Sequence, residues 1–469
     1  MPSAASTSSA PSSPASTGKT WRAGTLVYSS AGLFALFSFL LFGDFALSMR
    51  DRSVGPITHW YLNHLQVPNY LFALLLNSFP AAMSLIIGPI VSFRSDRLRS
   101  RWGRRIPFLL FTTPLAGLGM IGLGLTPIVA KWVHSHFPNE SEVFIALLCF
   151  GVFWAAFELA TIVGGSVFGG LVNDVVPKEL LGRFYGLFRA ISLIDGMIFN
   201  YWLMGWVPTH FTQIMVVIGV FYGAAFTWVC VKVKEGSYPP PPEIPPSEPQ
   251  GERAGAISRF KSSAATYFRE CFTHSYYISI FIMSMVAGLT FSPINTFSVP
   301  FATSLGVDMN TYGKALAATY LISLCLSFFL GWLADLFHPL RMAMAMLLGY
   351  GLVATWGAFY ATSAKMFLIA WVMHGVLSGC YFTSAASLGQ RLYPQSRFAQ
   401  FASASAIVGA LFGMVLAPAV GLFIDSTDRI YRYTFGIAAV MAFVALGCAF
   451  FVYGKFKKLG GPRAYTAPE

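Results

Sequence analysis

Twelve long apolar stretches run through this chain of 469 residues, and each is long enough to cross a lipid bilayer as one helix. A spanning helix needs about 20 mostly apolar residues, because it rises only about 1.5 Å per residue. These stretches are too long for the strands of a membrane barrel. The spans are predicted at residues 28–62, 68–93, 107–130, 143–170, 183–206, 210–232, 275–303, 312–334, 341–361, 364–389, 399–424 and 432–454.

The composition excludes most classes of soluble protein. Apolar residues make up 55% of the chain and charged residues 11%, against about 25% charged residues in an ordinary soluble protein. A soluble fold of this length has too little interior to hide so much apolar surface. The 6 cysteines form no C-x-x-C pair, so we expect neither a metal site nor a cofactor.

The net charge of +12 is an orientation signal and does not indicate a nucleic-acid partner. Lys and Arg are concentrated in loops on one side of the predicted membrane, above all in residues 94–105. Because cytoplasmic loops carry an excess of Lys and Arg, that side is predicted to be cytoplasmic. Both termini are then predicted to lie in the cytoplasm, and we expect the protein to lie in the plasma (inner) membrane.

The spans fall into two sets of six, separated by a segment of different composition. We predict a disordered tail at residues 1–22, six-helix bundles at 23–233 and 275–454, and a cytoplasmic tail at 455–469. The segment between the bundles, 234–274, begins with a Pro-rich linker and continues as a helix on the membrane surface. The chain is thus predicted to be an all-α membrane protein of twelve transmembrane helices, and a monomer.

The loop after the second span carries a recognisable motif. Residues 92–107 read SFRSDRLRSRWGRRIP. They resemble the loop signature of the major facilitator superfamily, G-x-L-A-D-R-x-G-R-R, with Ser92 at the first glycine and four extra residues between Asp96 and Gly103. The longer form is similar to that of the glycoside–cation and sucrose–proton symporters. The resemblance implies the major facilitator fold and alternating-access transport of a sugar or glycoside, coupled to protons or another cation.

The motif is echoed in the second half, which is what two parallel repeats predict. A carboxylate at a helix end can pair with nearby arginines and with a helix N-terminus. Breaking and remaking such pairs would open and close a cytoplasmic gate. The candidate gate residues are Asp96, Arg97, Gly103, Arg104, Arg105, Asp335 and Arg341. The alternative is that the arginines only hold the loop in the cytoplasm.

Ionisable residues in the first span are candidate functional groups, because each is costly in a bilayer. They are Asp44, Arg50, Asp51 and Arg52. Two interpretations stay open: the helix ends near residue 47 and a loop follows, or it continues to about residue 62 and the charges face a wet cavity. The family resemblance favours the longer helix, and implies that Asp44 is the acid of the first helix.

Spans four and five carry further charges, Glu158, Arg189 and Asp195. Trp154 lies one turn before Glu158, and a ring beside a carboxylate is a common way to hold a sugar. The resemblance implies an acid on the fourth helix coupled to an arginine on the fifth, which would be Glu158 and Arg189. The alternatives are a structural hydrogen bond for Glu158 and snorkelling for Arg189.

The deep polar residues of the second half are Asn295 and His374. We therefore expect this half to supply shape and apolar walls, with His374 a satisfied core residue. Two other functions remain as alternatives. One is transport of an organic anion, clamped by Arg50, Arg52 or Arg189. The other is a polytopic membrane enzyme, for which the sequence has neither an H-E-x-x-H motif nor a phosphate loop.

Overall fold

A computed structural model describes residues 20–238, 267–394 and 397–468. Almost all of the predicted N-terminal tail, and residues 239–266 of the predicted linker and surface helix, lie outside the described residues. Of the surface helix, residues 267–272 are described and are helical.

The first half contains six long helices. They are α1 Ser30–His64, α2 Asn69–Arg97, α3 Ile106–His136, α4 Glu142–Val175, α5 Leu181–Ile198 and α6 Val207–Lys232. Helical hydrogen bonding continues over the 55 residues Lys178–Lys232, which would extend about 80 Å if straight. That is more than twice the thickness of a bilayer core, so the chain turns back between α5 and α6, where Phe199–Leu203 is π-helical and Met204–Trp206 is a 3-10 turn. A kink at His210 follows in the first turn of α6.

The second half contains six more. They are α7 Ser275–Ser304, α8 Met309–Phe337, α9 Pro339–Tyr360, α10 Ala364–Ala385, α11 Phe398–Ser426 and α12 Tyr433–Lys458. Ten of the described helical segments are long and apolar enough to cross a membrane. One of these ten segments contains both α5 and α6, so the ten account for eleven helices. Helix α8, with 29 residues, is the twelfth span.

Helix α1 continues through its charged residues as one 35-residue helix, with Ser29 as its N-cap. The interpretation that placed an external loop after residue 47 is therefore wrong. The helix can continue because its two arginines find partners: Arg50 is only 3% exposed and bonds to groups on two helices, and Arg52 bonds to Ser192. Burial without such partners would have been too costly.

The helices pack as two bundles related by an approximate two-fold symmetry. In the first half α3 packs on α4 and α6, and in the second half α9 packs on α10 and α12. Between the halves α2 packs on α11, α5 packs on α8 and α1 packs on α7. If each helix of one half is exchanged for the helix at the same position in the other half, α1 for α7 and α2 for α8, the same packing pairs are obtained. The predicted fold class, all-α with two six-helix bundles, is confirmed.

The halves are tied together at the end of the bundle where α1 ends and α2 begins, which we call the opposite end. The Asp425 carboxylate of α11 accepts hydrogen bonds from the Asn69 side chain at 2.7 Å and from the Tyr70 backbone N–H at 3.1 Å. A Cβ on Gly421 would lie 2.5 Å from the carbonyl oxygen of Asn69, so only glycine allows this approach. The end that bears the arginine-rich loop is called the basic end.

A small hairpin precedes α1, and it was not predicted. Strand β1, Trp21–Ala23, pairs antiparallel with β2, Leu26–Tyr28. The Thr25 hydroxyl in the turn accepts a hydrogen bond from the Ser237 backbone N–H at 2.8 Å. The beginning of the described chain therefore contacts the segment that follows α6.

Candidate functional site

Arg50 is a buried cation of the first half that is held by two side chains. Its guanidinium donates to the Asp51 carboxylate at 2.6 and 2.9 Å and to the Tyr222 hydroxyl of α6 at 2.9 Å. Asp51 is about half exposed, so the pair joins a buried cation to an accessible anion. Glu158 of α4 lies close enough to Arg50 and Asp51 for their charges to act on it.

Arg52 faces the seam between the two halves. Its guanidinium donates to the Ser192 hydroxyl of α5 at 2.8 Å and lies over the Tyr320 ring of α8 at 5.0 Å. Tyr320 in turn packs so closely on α5 that a Cβ on Gly196 would be 2.7 Å from its ring. Arg52 therefore contacts both sides of the α5–α8 seam.

Two buried carboxylates lack hydrogen-bond partners among the described residues. Asp195 on α5 is 0% exposed with neither oxygen bonded, and Asp44 on α1 is 5% exposed with its Oδ2 unbonded. The two lie within electrostatic range of each other, and Arg52 is within range of Asp195. Desolvated and unbonded, an ionised carboxylate would be strongly disfavoured here.

The structure does not pair Glu158 with Arg189. Arg189 is exposed, and the charged and phenolic groups that act on it are Arg52 and Tyr320. The reason is packing: α5 lies against α1 and α8, which turns Arg189 toward those helices, while α1 brings Arg50 toward α4. The coupling of Glu158 to Arg189 therefore stays a prediction, and in this conformation the cation near Glu158 is Arg50.

Trp154 contributes to packing within the first bundle. It is 5% exposed, and its indole N–H donates to the Leu75 carbonyl oxygen at 2.9 Å. Its ring stacks on Phe150 at 5.7 Å between centroids and packs against Phe157 at 5.6 Å. Since its ring and its polar edge are both engaged, we do not assign it the sugar-stacking role that the sequence suggested.

A pocket of about 260 Å³ lies between the halves, near the middle of the helices. Its lining comes from α1, α2, α7 and α10, and consists of His59, Asn77, Gly288, Phe291, Ser292, Asn295, Thr296 and Phe382. The lining carries amides, hydroxyls, an imidazole and two phenyl rings, and none of these eight residues is an acid, Lys or Arg. The Thr296 hydroxyl donates to the Asn77 Oδ1 across the halves at 3.4 Å.

The second half supplies a hydrogen-bonded chain to this pocket. The Tyr350 hydroxyl of α9 lies 2.8 Å from Nδ1 of His374, and Nε2 of His374 lies 3.0 Å from Oδ1 of Asn295. Tyr350 and His374 are buried, whereas Asn295 is exposed to the pocket. His374 is a satisfied core residue, as expected, and the second half contributes this polar chain in addition to the shape and apolar walls expected of it.

A larger cavity, of about 490 Å³, opens at the opposite end within the first bundle. It lies among α1, α3, α4 and α6, with Trp60, Tyr61 and Phe211 among its lining residues. All of its walls belong to one half, so rocking of the halves would not move it from one side of a membrane to the other. The pocket between the halves has the placement that alternating access requires.

At the basic end, the arginines of the loop motif make ion pairs within the first half. Arg105 pairs with Asp96 at 2.5 Å and with Asp174 of α4 at 3.3 Å. Arg104 binds Asp174 through two hydrogen bonds, of 2.5 and 2.9 Å, which raises the pKa of its guanidinium. Asp174 was not predicted from the sequence, because it lies at the end of a span, where a charged residue is common and does not indicate a function.

A second missed residue, Glu235, caps helix α3. Its carboxylate accepts from the backbone N–H groups of Arg104, Arg105 and Ile106 at 2.7 to 3.0 Å. These are orphan donors of a helix N-terminus, where a negative charge is stabilising. Tyr238 donates to the same carboxylate at 2.8 Å, and burial together with Glu235 raises the pKa of its hydroxyl.

Other gate candidates have separate roles. Gly103 has a φ of +104°, which favours glycine, and Glu235 occupies the space beside it. Arg97 lies over the Phe93 ring at 3.9 Å. In the second half Arg341 donates to the Tyr453 hydroxyl at 2.7 Å, and the side chain of Asp335 lies outside what is described.

Known proteins share this architecture. Residues 280–464 match the family model of the Major Facilitator Superfamily. A bacterial homologue of the human lysosomal transporter Spinster, in an inward-facing and unoccupied conformation, superposes with a TM-score of 0.64 over 93% of this chain and 98% of that one, at 13% identity. The chain has the major facilitator fold.

Two further solved structures share the fold. A mutant of the nucleoside transporter NupG matches with a TM-score of 0.62 and 12% identity over 90% of this chain and 100% of that one. The xylose transporter XylE from E. coli, in an inward-open conformation, matches with a TM-score of 0.59 and 12% identity over 90% of this chain and 94% of that one. Identities this low establish the fold alone.

One curated relative matches over a short region. Human glucose-6-phosphatase 3 is 29% identical over 124 residues, which are 26% of this chain. The chain spans only 28% of the length of that relative.

Proposed function

We propose that this protein is a secondary active transporter of a small neutral polar solute, a sugar or glycoside, working by alternating access. The observation that carries the proposal is the pocket between the halves, which is lined from both bundles by uncharged hydrogen-bonding groups and phenyl rings. Amides, hydroxyls and aromatic rings are the groups that bind polyhydroxylated molecules. Its volume of about 260 Å³ suits one sugar ring.

The competing substrate class, an organic anion, needs a cation that can act as a clamp. Arg50 is held by Asp51 and Tyr222, and Arg52 is held by Ser192. Neither of these arginines, nor Arg189, is among the residues that line the pocket. These engagements favour a neutral substrate over an anionic one.

Proton coupling is supported by the buried carboxylates of the first half. An acid as deeply buried and unbonded as Asp195 is stable only in its neutral form, so we assign it a proton in this conformation. The α5–α8 seam covers it, and Gly196 of that seam touches Tyr320. Parting of this seam would admit water to Asp195 and let it ionise, which couples protonation to conformation.

The basic end is assigned to the cytoplasm, because it carries the arginine-rich loop. The halves are tied together at the opposite end, so the conformation corresponds to an inward-facing state of the transport cycle. Breaking and remaking the Asp96 and Asp174 ion pairs to Arg105 would accompany closure of the cytoplasmic side. We place the protein in the plasma membrane as a monomer.

The proposal is tested by reconstituting the purified protein in liposomes with an imposed pH gradient and measuring uptake of a radiolabelled panel of methyl glycosides and of organic acids. Accumulation of at least one glycoside, abolished by a protonophore, is the expected result. Asn77→Ala should abolish that uptake, and Asp308→Asn is the control, because Asp308 bonds only locally, to Thr311, at the opposite end. Accumulation of organic acids alone would overturn the assignment of a neutral substrate.

A further inference from the structure

We infer that Tyr350 and His374 are positioning residues that orient the Asn295 amide so that its NH2 group faces the pocket. The inference rests on the proposed function in one respect, since it takes the pocket to be the substrate site. It goes further by naming what this side of the pocket recognises, which is an acceptor oxygen on the substrate.

The orientation begins at Tyr350, which is 0% exposed. Its hydroxyl lies 2.8 Å from Nδ1 of His374, and within the described part of the chain the structure gives that hydroxyl no other hydrogen-bond partner. A buried O–H that donates to nothing is unfavourable, so its proton points at Nδ1. Nδ1 is therefore an acceptor and carries no hydrogen.

The tautomer of His374 follows from this. A neutral imidazole carries one N–H, and with Nδ1 accepting, that hydrogen lies on Nε2. Nε2 is 3.0 Å from the side chain of Asn295, and an N–H donor needs an oxygen opposite it. The Oδ1 atom of Asn295 must therefore face His374, which leaves its NH2 group turned toward the pocket.

The first half presents a matching donor. Asn77 accepts the Thr296 hydroxyl through its Oδ1, and its buried Nδ2 has no partner among the residues described. The pocket thus offers the N–H donor of Asn295 directly, and the Nδ2 of Asn77, which is shielded from solvent, becomes a second donor when that side chain turns toward the pocket. A substrate oxygen that accepts from both, such as a ring, glycosidic or hydroxyl oxygen, would bridge the two bundles.

The orientation is tested without any substrate by ¹⁵N NMR of the full-length protein in nanodiscs, with its histidines labelled. The His374 signal, assigned by its loss in His374→Gln, should show the Nε2–H tautomer. In Tyr350→Phe the ¹⁵N chemical shifts of the two ring nitrogens should be averaged between the two tautomers, because the donor to Nδ1 is gone. An Nδ1–H tautomer in the wild type would overturn the inference.

Recognition is tested with methyl β-D-glucopyranoside and its monodeoxy and deoxyfluoro derivatives, measured by quenching of tryptophan fluorescence. Fluorine accepts weakly but cannot donate. For one hydroxyl position of the sugar, the deoxy compound should bind about tenfold more weakly than the parent. The deoxyfluoro compound at the same position should regain part of the lost affinity. Tyr350→Phe should reduce this difference to about twofold or less.

Tyr312→Phe is the matched control. It also removes one buried hydroxyl of the second half, which bonds to Ser298 at 2.9 Å and not to the pocket chain. Identical selectivity changes in Tyr350→Phe and Tyr312→Phe would overturn the positioning role. If no glycoside binds the wild type, the proposed function fails, and the NMR tautomer still decides the orientation of Asn295.

Discussion

Replacing Asp195 by asparagine should uncouple transport from the proton gradient while leaving the fold intact. Asp195 is fully buried, and neither of its oxygens is bonded within the described chain, which is why we propose that it carries a proton. Asparagine has the same shape and is also neutral. We therefore expect the free energy of unfolding to change by less than about 1 kcal/mol.

The effect on accumulation can be worked out from the gradient. One pH unit is worth about 1.4 kcal/mol per proton, which supports about tenfold accumulation of a neutral solute carried with one proton. Asp195→Asn cannot release a proton at this position. Its solute should therefore only equilibrate, to an accumulation ratio of about one.

The assay is uptake into proteoliposomes with the membrane potential clamped at zero and a pH step of about one unit. Asp308→Asn serves as the control, because Asp308 caps α8 at the opposite end and accepts from the Thr311 N–H at 2.9 Å. It should retain the wild-type ratio. Tenfold accumulation by Asp195→Asn would refute the reasoning, since the coupling proton would then be held elsewhere.

Three further changes test other parts of the structure. Glu158→Gln should abolish gradient-driven uptake but spare substrate exchange, measured by counterflow; full accumulation by this variant would remove Glu158 from the mechanism. Glu235→Ala removes the acceptor of three N–H groups at the start of α3 and should cost about 1–2 kcal/mol in thermal unfolding, with a smaller loss for Glu235→Gln, and an unchanged midpoint would argue against the cap. Burial, with nearby Arg391 and Arg341, lowers the pKa of His338 from 6.5 to about 4. The unfolded chain then binds a proton that the folded chain does not, so stability should fall as the pH drops from about 6.5 to 4. His338→Gln should show a smaller fall, and equal slopes for both proteins would contradict this.

The helices could be predicted because the bilayer imposes a simple rule on length and composition. Each predicted span corresponds to one helix, and the continuation of α1 to His64 agrees with the interpretation that the family resemblance favours. The ion pair of Asp96 with Arg105 joins two residues of one motif, and both are gate candidates from the sequence. In these cases the information is local in the sequence.

What could not be predicted depends on which face each helix turns toward its neighbours. The choice of Arg50 over Arg189 as the cation near Glu158 is set by the packing of α1 and α5, which no single helix encodes. Asn295 and His374 stand out singly in the sequence, but their connection to Tyr350 spans three helices.

Sequence distance also hides several contacts. Glu235 lies about 130 positions from the helix that it caps, in a segment whose composition is that of the start of a linker. Capping of a helix by a remote side chain leaves no local signature, unlike a Ser or Asp at the N-cap itself. The uncharged pocket escapes prediction for a related reason, because charge is the criterion that selects candidate residues inside a membrane.

The hydrogen bond from Ser237 to Thr25 has a consequence for how the first half is built as a chain. It brings the beginning and the end of that half together, so the six helices form a nearly closed loop of polypeptide. Proteins whose termini meet in this way tolerate circular permutation. The first half could therefore be opened at the exposed turn 137–141 and rejoined across residues 20 and 238 without moving a helix.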